Sequence, residues 1–448
     1  MKKVGLGASG LLVFYLTSMV GAGILLIPGL TARAAGPASL LVWLVLIVAS
    51  YPLATLFAEM SARHPDAGGV AAFVRHQFGD RTGDAASLLL VALYVIGNPI
   101  LGLASARYLA HLVGLPPAAV PAAAAGFMLL AVAFNLLRLA TGARLQAVAL
   151  GVLVGGLLLA VALATPHMSA DRMAPFAPHG WLALGPAVVI AFFSFLGWEN
   201  VSTIAEEVRD PHLTYRRAVR FAVPLVGALY LAVAVAFLLV SRGTQGAGQD
   251  PVVLTALLRA PLGERGALAG DVLAVGIIVV ATNAWVLGAS RLVVAAARRR
   301  LLPRLVGITE RRTGAPVPAL AALACCYAVI LTAVGVLGLD EAAVAAVVSC
   351  GFLLLYVVVA LSALRAGATG TLRIAAWLTL GVSIGFLAVA GWTLVAALVL
   401  AAGCLAMTGV LGRTRSRTRS RTRGRTRIPV PAVETPPVLR TDLVGSST

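Results

Sequence analysis

The chain has 448 residues, of which 60% are apolar and only 12% charged, with a formal net charge of +18 and a mean hydropathy of +0.96. Soluble domains carry about 25% charged residues, so water cannot be the main solvent for this surface. A disulfide-stapled secreted fold, a collagen-like fibre and a disordered chain are excluded, and an all-α polytopic membrane protein is expected.

In chain order, apolar runs predict spans near 8–32, 38–62, 84–112, 117–137, 143–165, 183–206, 219–241, 266–297, 317–337, 342–364, 372–390 and 391–412, twelve in all. Each is long enough for a bilayer core of about 30 Å at 1.5 Å rise per residue. Lys2-Lys3, the first apolar run and Ala32-Arg33-Ala34 imitate the three regions of a signal peptide. That run is far longer than the about 7–15 residues of a signal core, so it is expected to be retained as the first span. With the N-terminus inside, twenty-seven Lys and Arg fall in inner segments and six in outer ones. The positive-inside rule then places both termini in the cytoplasm, with an even number of spans.

Residues 1–412 are expected to form one transporter-like helical domain. From Arg413 the chain alternates Arg with Thr, Ser or Gly and then becomes Pro-rich to Thr448. Such composition cannot bury a core, so 413–448 is expected to be a disordered cytoplasmic tail. Its arginines suit anionic lipid. Nucleic acid is not an expected partner, since no aromatic residues are interleaved.

Several motif matches fail on context. Gly5-Leu6-Gly7-Ala8-Ser9-Gly10 fits a dinucleotide fingerprint, but that pattern needs a preceding strand and only four residues precede it. Asn200-Val201-Ser202 is a glycosylation sequon inside a span. The four cysteines (Cys325, Cys326, Cys350, Cys404) lie in apolar runs without ligand spacing, and the six histidines are scattered. No metal, no cofactor and no enzymatic activity are expected.

Two spans carry signs of a break. Met19-Val20-Gly21-Ala22-Gly23-Ile24 in the first places two glycines around one alanine, with Pro28-Gly29 just beyond. Phe193-Ser194-Phe195-Leu196-Gly197-Trp198-Glu199-Asn200 in the sixth sets a mid-span glycine beside a charged residue. Glycine is costly inside helices, and irregular backbone at membrane depth survives only where protein or a water-filled cavity covers it. Broken helices at corresponding positions point to a transport site. The second break lies five spans after the first. Five is odd, so the second half starts from the opposite side, giving an inverted repeat of about 8–165 and 183–364, with helices 372–412 appended.

A helix restarted near Gly23 or Gly197 presents unpaired N–H groups and a positive dipole end, which suit a carboxylate. Carbonyls released on the other side of each break suit an ammonium. Phe195, Leu196, Trp198, Tyr94 and Trp285 are available as walls, with Asn98 and Asn283 as uncharged polar groups, and no Arg or Lys lies at that depth. A neutral, apolar amino acid fits this set. An acidic side chain at a helix centre costs about 2.5–3.5 kcal/mol on insertion scales. Glu199 therefore needs a role, as a proton carrier or as a pin for the first-span backbone. Glu206, Glu207 and Glu59 lie nearer the cytoplasmic ends, where loop arginines such as Arg209 and Arg63 can pair with them. Asp271, near the outer end of the eighth span, is expected to be solvated.

At these residues the sequence resembles the amino acid–polyamine–organocation superfamily of transporters. Met19–Ile24 with Pro28-Gly29 resembles its first-span signature. Phe193–Asn200, followed by Glu206-Glu207-Val208-Arg209-Asp210-Pro211 and Tyr215-Arg216-Arg217-Ala218, resembles its sixth span and following loop. Pro65-Asp66-Ala67-Gly68-Gly69-Val70 resembles its first cytoplasmic loop. Ser290-Arg291, Leu301-Leu302-Pro303 and Pro316-Val317-Pro318-Ala319 resemble the end of the eighth span. The ensemble is most similar to the bacterial branch that exports methionine and branched-chain amino acids.

The resemblance implies ten core helices plus two, discontinuous helices 1 and 6, and alternating access in a bacterial plasma membrane, as a monomer or homodimer. It implies substrate contacts at Val20, Gly21, Ala22, Gly23, Ile24, Phe193, Ser194, Phe195, Leu196, Gly197, Trp198 and Asn98. Trp285 is added on geometric grounds, and Glu199, Glu206 and Glu207 are candidates for coupling or gating. The fifth span lacks the Lys of some proton-coupled members. Thr282 and Ser290 do not form the paired hydroxyls of sodium-coupled relatives, so a proton is the expected coupling ion rather than sodium. The expected function is secondary transport of neutral apolar amino acids, by proton-coupled export. An uptake permease or amino acid/amine exchanger is the alternative, and a non-transporting membrane sensor stands further off.

Overall fold

A computed structural model describes residues 6–63, 69–137, 143–241, 252–310 and 315–425. Pro65–Gly68 of the first-loop motif and the end of the tail beyond Arg425 lie outside the described residues. So do several loop arginines used for orientation, among them Arg138, Arg242, Arg311 and Arg312. Among the described residues there are thirteen α-helices and no β-strand, only an isolated parallel bridge between Leu6 and Val208.

The helices are α1 (Ala8–Met19), α2 (Ala22–Ala35), α3 (Ser39–Arg63), α4 (Gly69–Val113), α5 (Val120–Leu136), α6 (Ala143–Ala164), α7 (Leu184–Phe192), α8 (Pro211–Val240), α9 (Val253–Arg298), α10 (Val317–Leu337), α11 (Glu341–Arg365), α12 (Gly370–Ala388) and α13 (Trp392–Arg425). Among the described residues, eleven are long and apolar enough to cross a membrane, counting Gly23–Arg63 as one continuous stretch and Ala8–Met19 as a shorter apolar helix. Four helices, α3 to α6, lie between the first interruption and α7, and α8 to α11 follow the second, with α4 bent at Gly79 (φ 83°) and α9 at Gly263 (φ 60°).

Burial sorts these helices into a centre and a rim. In the apolar windows of α4 and α11, 72% of residues are buried, against 22% for the stretch Ala147–His167 and 17% for Trp392–Val410. In lipid the apolar rim needs no cover, so a helix can be hydrophobic all round and still face outward. The centre is built on contacts of α4 with α9 and α11, and of α3 with α8.

Three differences from the expected spans have local causes. Helix α8 begins at Pro211 rather than near 219, because proline with its fixed φ and missing N–H suits a first helical position. Helix α9 begins at Val253 and contains a reversal at Gly263 (φ 60°, ψ −147°), so the short segment 253–262 precedes the eighth span proper. The chain separates into two compact units, Met1–Thr408 and Gly409–Thr448, and α13 is helical to Arg425. The arginine-rich segment expected to be disordered from 413 is thus helical over its first turns. Helix propagation is cooperative and arginine is a good helix former, so a span extends beyond its apolar part.

Candidate functional site

The first interruption is two residues long. Helix α1 ends at Met19, Val20 (φ −82°, ψ 95°) and Gly21 (φ −148°, ψ −144°) are extended, and α2 starts at Ala22. The Val20 N–H still bonds Leu16 O at 2.8 Å and the Ile24 N–H bonds Gly21 O at 3.3 Å. Between them, the opening turn of α2 presents N–H groups with no helical carbonyl ahead of them.

The second interruption is longer. Helix α7 ends at Phe192, a 3-10 turn covers Phe193–Phe195, Leu196 is extended, and Gly197 takes φ 132°, ψ −14°. The chain does not return to α-helix. It runs as a 3-10 helix over Trp198–Glu207, much longer than the usual three or four residues of that conformation. The positive φ reserves position 197 for glycine, as does space: a Cβ there would lie 3.1 Å from both Ser18 O and Met19 Cγ.

The two interruptions therefore touch. Gly23 lies against Ser194, where a Cβ would meet Oγ at 3.3 Å. The Tyr230 hydroxyl of α8 lies 3.0 Å from Met19 O and 3.2 Å from Ser194 O, bridging one carbonyl of each break. Glu199, only 2% exposed, accepts from the Gly197 N–H at 3.0 Å and from the Tyr356 hydroxyl of α11. Its Oε1 is buried without a hydrogen-bond partner. The carboxylate thus caps its own break instead of reaching the first-span backbone.

Two cavities meet here. A small one of about 40 Å³ is walled by Gly21, Gly23, Asn98, Phe193, Ser194 and Leu196, together with Val348 and Phe352 of α11, and no charged side chain lines it. The Asn98 amide donates to Tyr327 Oη at 2.9 Å, while Ser194 Oγ is buried with no partner. A larger cavity of about 620 Å³ is lined by Arg75, Arg291, Arg299, Glu199 and Glu207, among others. Tyr94 and Trp285 belong to both walls. Their rings are 5.2 Å apart, and Tyr94 Oη donates to Asn200 Oδ1 at 2.7 Å.

Several expected site residues stand elsewhere. Phe195 packs against Trp43 and Tyr230, and Trp198 against Tyr15. Neither lines either of these two cavities, because the 3-10 turns rotate them into the helix packing. Ile24 is wholly buried within α2, and Ala22 is the first residue of that helix. Asn283 is used by Asn135, whose amide donates to its Oδ1 at 2.6 Å. Glu206 and Glu207 are exposed, and only Glu207 reaches the large cavity. Arg63 sits 3.9 Å from Glu59 as expected, whereas Arg209 faces Asp210 at 3.5 Å.

Asp271 is not solvated. It is wholly buried, with Oδ2 2.5 Å from His111 Nδ1 and Oδ1 accepting from Thr255. The reversal at Gly263 folds segment 253–262 over it, which spacing along one helix did not reveal. Tyr230, Tyr356 and Tyr327 are further residues missed from sequence. Each is a buried tyrosine in an apolar span whose hydroxyl must find a partner, the one signal that could have flagged them. Among the described residues no three His, Cys, Asp or Glu side chains gather as a metal site.

The family model for amino acid permeases matches residues 6–414, nearly the whole described chain. The chain belongs to this family, within the amino acid–polyamine–organocation superfamily. It is 29% identical over 388 residues to an uncharacterized amino acid permease of Bacillus subtilis, YecA, covering 86% of this chain and 91% of that protein. It is 30% identical over 217 residues to the L-methionine/branched-chain amino acid exporter YjeH of Escherichia coli, covering 48% and 51% respectively. It is 25% identical over 271 residues to the branched-chain amino acid permease BcaP of B. subtilis, covering 56% and 58%. This permease is a multi-pass membrane protein with the helical fold of its family and an amino acid substrate, and it is not an enzyme.

Proposed function

We propose that this permease is a secondary transporter that exports neutral apolar amino acids, of the methionine, leucine, isoleucine and valine class, in exchange for protons by alternating access. One observation carries the reading: the uncharged cavity held between the two interruptions. Its polar contributions are backbone and neutral side chains. The substrate carboxylate sits at the opening N–H groups of α2, where the helix dipole favours an anion. Its ammonium is taken by carbonyls released at the breaks and by the unpartnered Ser194 Oγ. Phe193, Leu196, Val348 and Phe352 enclose an apolar side chain, and no carboxylate is present there to select a cationic one.

Counting α1 and α2 as one interrupted span gives twelve spans with both termini in the cytoplasm. The cavity lined by Arg75, Arg291 and Arg299 is then an inward-facing vestibule. At about 40 Å³ the substrate cavity has room for about three waters, so loading requires Tyr94 and Trp285 to separate. Glu199 borders the vestibule with one oxygen unpartnered, and it carries the proton that is exchanged.

Flux of radiolabelled leucine and arginine in proteoliposomes, with an imposed pH gradient, tests each part. Leucine should move and arginine should not, with leucine driven against the proton gradient. Preference for arginine would overturn the substrate class, and leucine flux indifferent to the gradient would overturn the coupling.

A further inference from the structure

A second ionisable cluster lies far from these cavities. Helices α4 and α9 run antiparallel, so Arg75 and Arg299 meet Asp84 at one end, at 3.0 and 3.2 Å, and His111 meets Asp271 at the other. There Arg259 Nη2 lies 2.8 Å from His111 Nε2 and 3.2 Å from Glu264 Oε2. Arginine has only donors, so Nε2 must accept. The proton of the ring is then on Nδ1, where it donates to Asp271 Oδ2. His111 is neutral in this arrangement, and both of its nitrogens are committed.

The chain around it is built for a tight but reversible closure. After the turn at Gly263, segment 253–262 doubles back on the eighth span so closely that a Cβ on Gly266 would lie 2.1 Å from Leu258 O, and one on Gly270 3.0 Å from Leu254 O. Thr255 pins one end of the segment to Asp271, and Arg259 pins the other to His111. The Leu254 N–H donates to Tyr108 Oη at 3.3 Å, and that hydroxyl donates to Leu25 O of α2 at 2.7 Å. The segment is therefore linked to the outer half of the first interrupted span. Asp271 has no exposure, while the His111 side chain is 21% exposed, so of the two only the ring meets solvent.

We propose that His111, backed by Asp271, is a proton-binding site at the outer end of the permease, and that a proton on Nε2 releases Arg259 and the 256–262 end of the segment. The bonding arithmetic requires it. Once Nε2 carries a hydrogen, two donors and two positive charges face each other, whereas the imidazolium gains against Asp271. Thr255 keeps its bond, so the turn carrying Arg259 opens and the Thr255 turn stays.

The surrounding charges leave this site its own. Arg107 bonds Glu341 at 2.6 Å and Arg33 bonds Asp340 at 2.5 Å. Glu264 is shared with Arg259, Arg265 follows it on the same helix, and His167 of the turn packed on α9 is exposed. The described residues of α5 carry no titratable group, and those of α10 carry only Cys325, Cys326 and Tyr327.

The site rests on the outward orientation proposed above but needs no substrate. Hydrogen exchange of the full chain in nanodiscs, normalised for intrinsic rates, reads it directly when measured at about pH 5 and about pH 8. Wild-type peptides over 256–262 should exchange about tenfold faster at the lower pH, the effect of losing one charge-assisted hydrogen bond. His111→Gln keeps an acceptor for Arg259 and a donor for Asp271, so the segment should stay protected at both pH values. Arg259→Gln, at a half-exposed position, should exchange fast at both. A wild type without pH dependence, or the same dependence persisting in either variant, would overturn the proposal. Leucine flux plays no part in the readout, so its failure and the failure of this site are separable.

Discussion

The two interruptions solve the same problem differently. The first leaves two extended residues between ordinary α-helices and keeps backbone groups available. The second winds through fifteen residues of 3-10 and extended chain, and a carboxylate on its own sequence takes up the Gly197 N–H. The first break therefore leaves its opening N–H groups free of helical partners, whereas the second takes up its Gly197 N–H internally and leaves Ser194 Oγ unpartnered at the cavity wall. Irregular backbone at membrane depth has both uses, and only the bonding pattern tells them apart.

Substituting the glycines separates the two roles most strongly. Gly197→Val combines a disallowed φ with contacts at 3.1 Å to Ser18 O and Met19 Cγ, costing about 1–3 kcal/mol for strain and a similar amount for overpacking. A much lower melting temperature in detergent, with loss of folded protein, is expected. Gly23→Val lies at ordinary φ beside Ser194, so the protein should stay folded while leucine flux is abolished. Equal melting losses in both variants would erase the distinction between a binding break and a structural one.

Glu199→Gln tests the self-capping of the second break. Glutamine can still accept from Gly197, so folding should survive, and a pH gradient should cease to drive leucine flux. Collapse of the fold instead would mean that Glu199 is only a pin. Tyr230→Phe removes the hydroxyl shared by Met19 O and Ser194 O, worth about 1 kcal/mol. A small drop in melting temperature with slower flux is the expected result. Smallest of all, deletion of residues 426–448 should leave flux unchanged in the same proteoliposome assay.

Both breaks were readable from glycines set in apolar runs, because the cost of glycine in a helix is local. The form of each break was not. The chain beyond Gly197 is held by Tyr356, 157 positions beyond Glu199 in sequence, and packed closely on Ser18, partners that the local sequence does not name. The walls offered by Phe195 and Trp198 were misplaced for the same reason, since a 3-10 turn changes the direction of each side chain. Asp271 illustrates the limit most plainly. A carboxylate near a span end reads as solvated until a glycine reversal folds a neighbouring segment over it.

The bridge between Leu6 and Val208, with Leu6 N bonded to Glu207 O at 2.7 Å and Arg209 N to Leu6 O at 3.0 Å, fastens the stretch just before α1 to the end of the second 3-10 run. Tilting one broken span would pull on the end of the other through these bonds. The pair is thereby yoked, and a bulky fusion inserted between Leu6 and Ala8 would be expected to jam the cycle even though it lies far from any ligand.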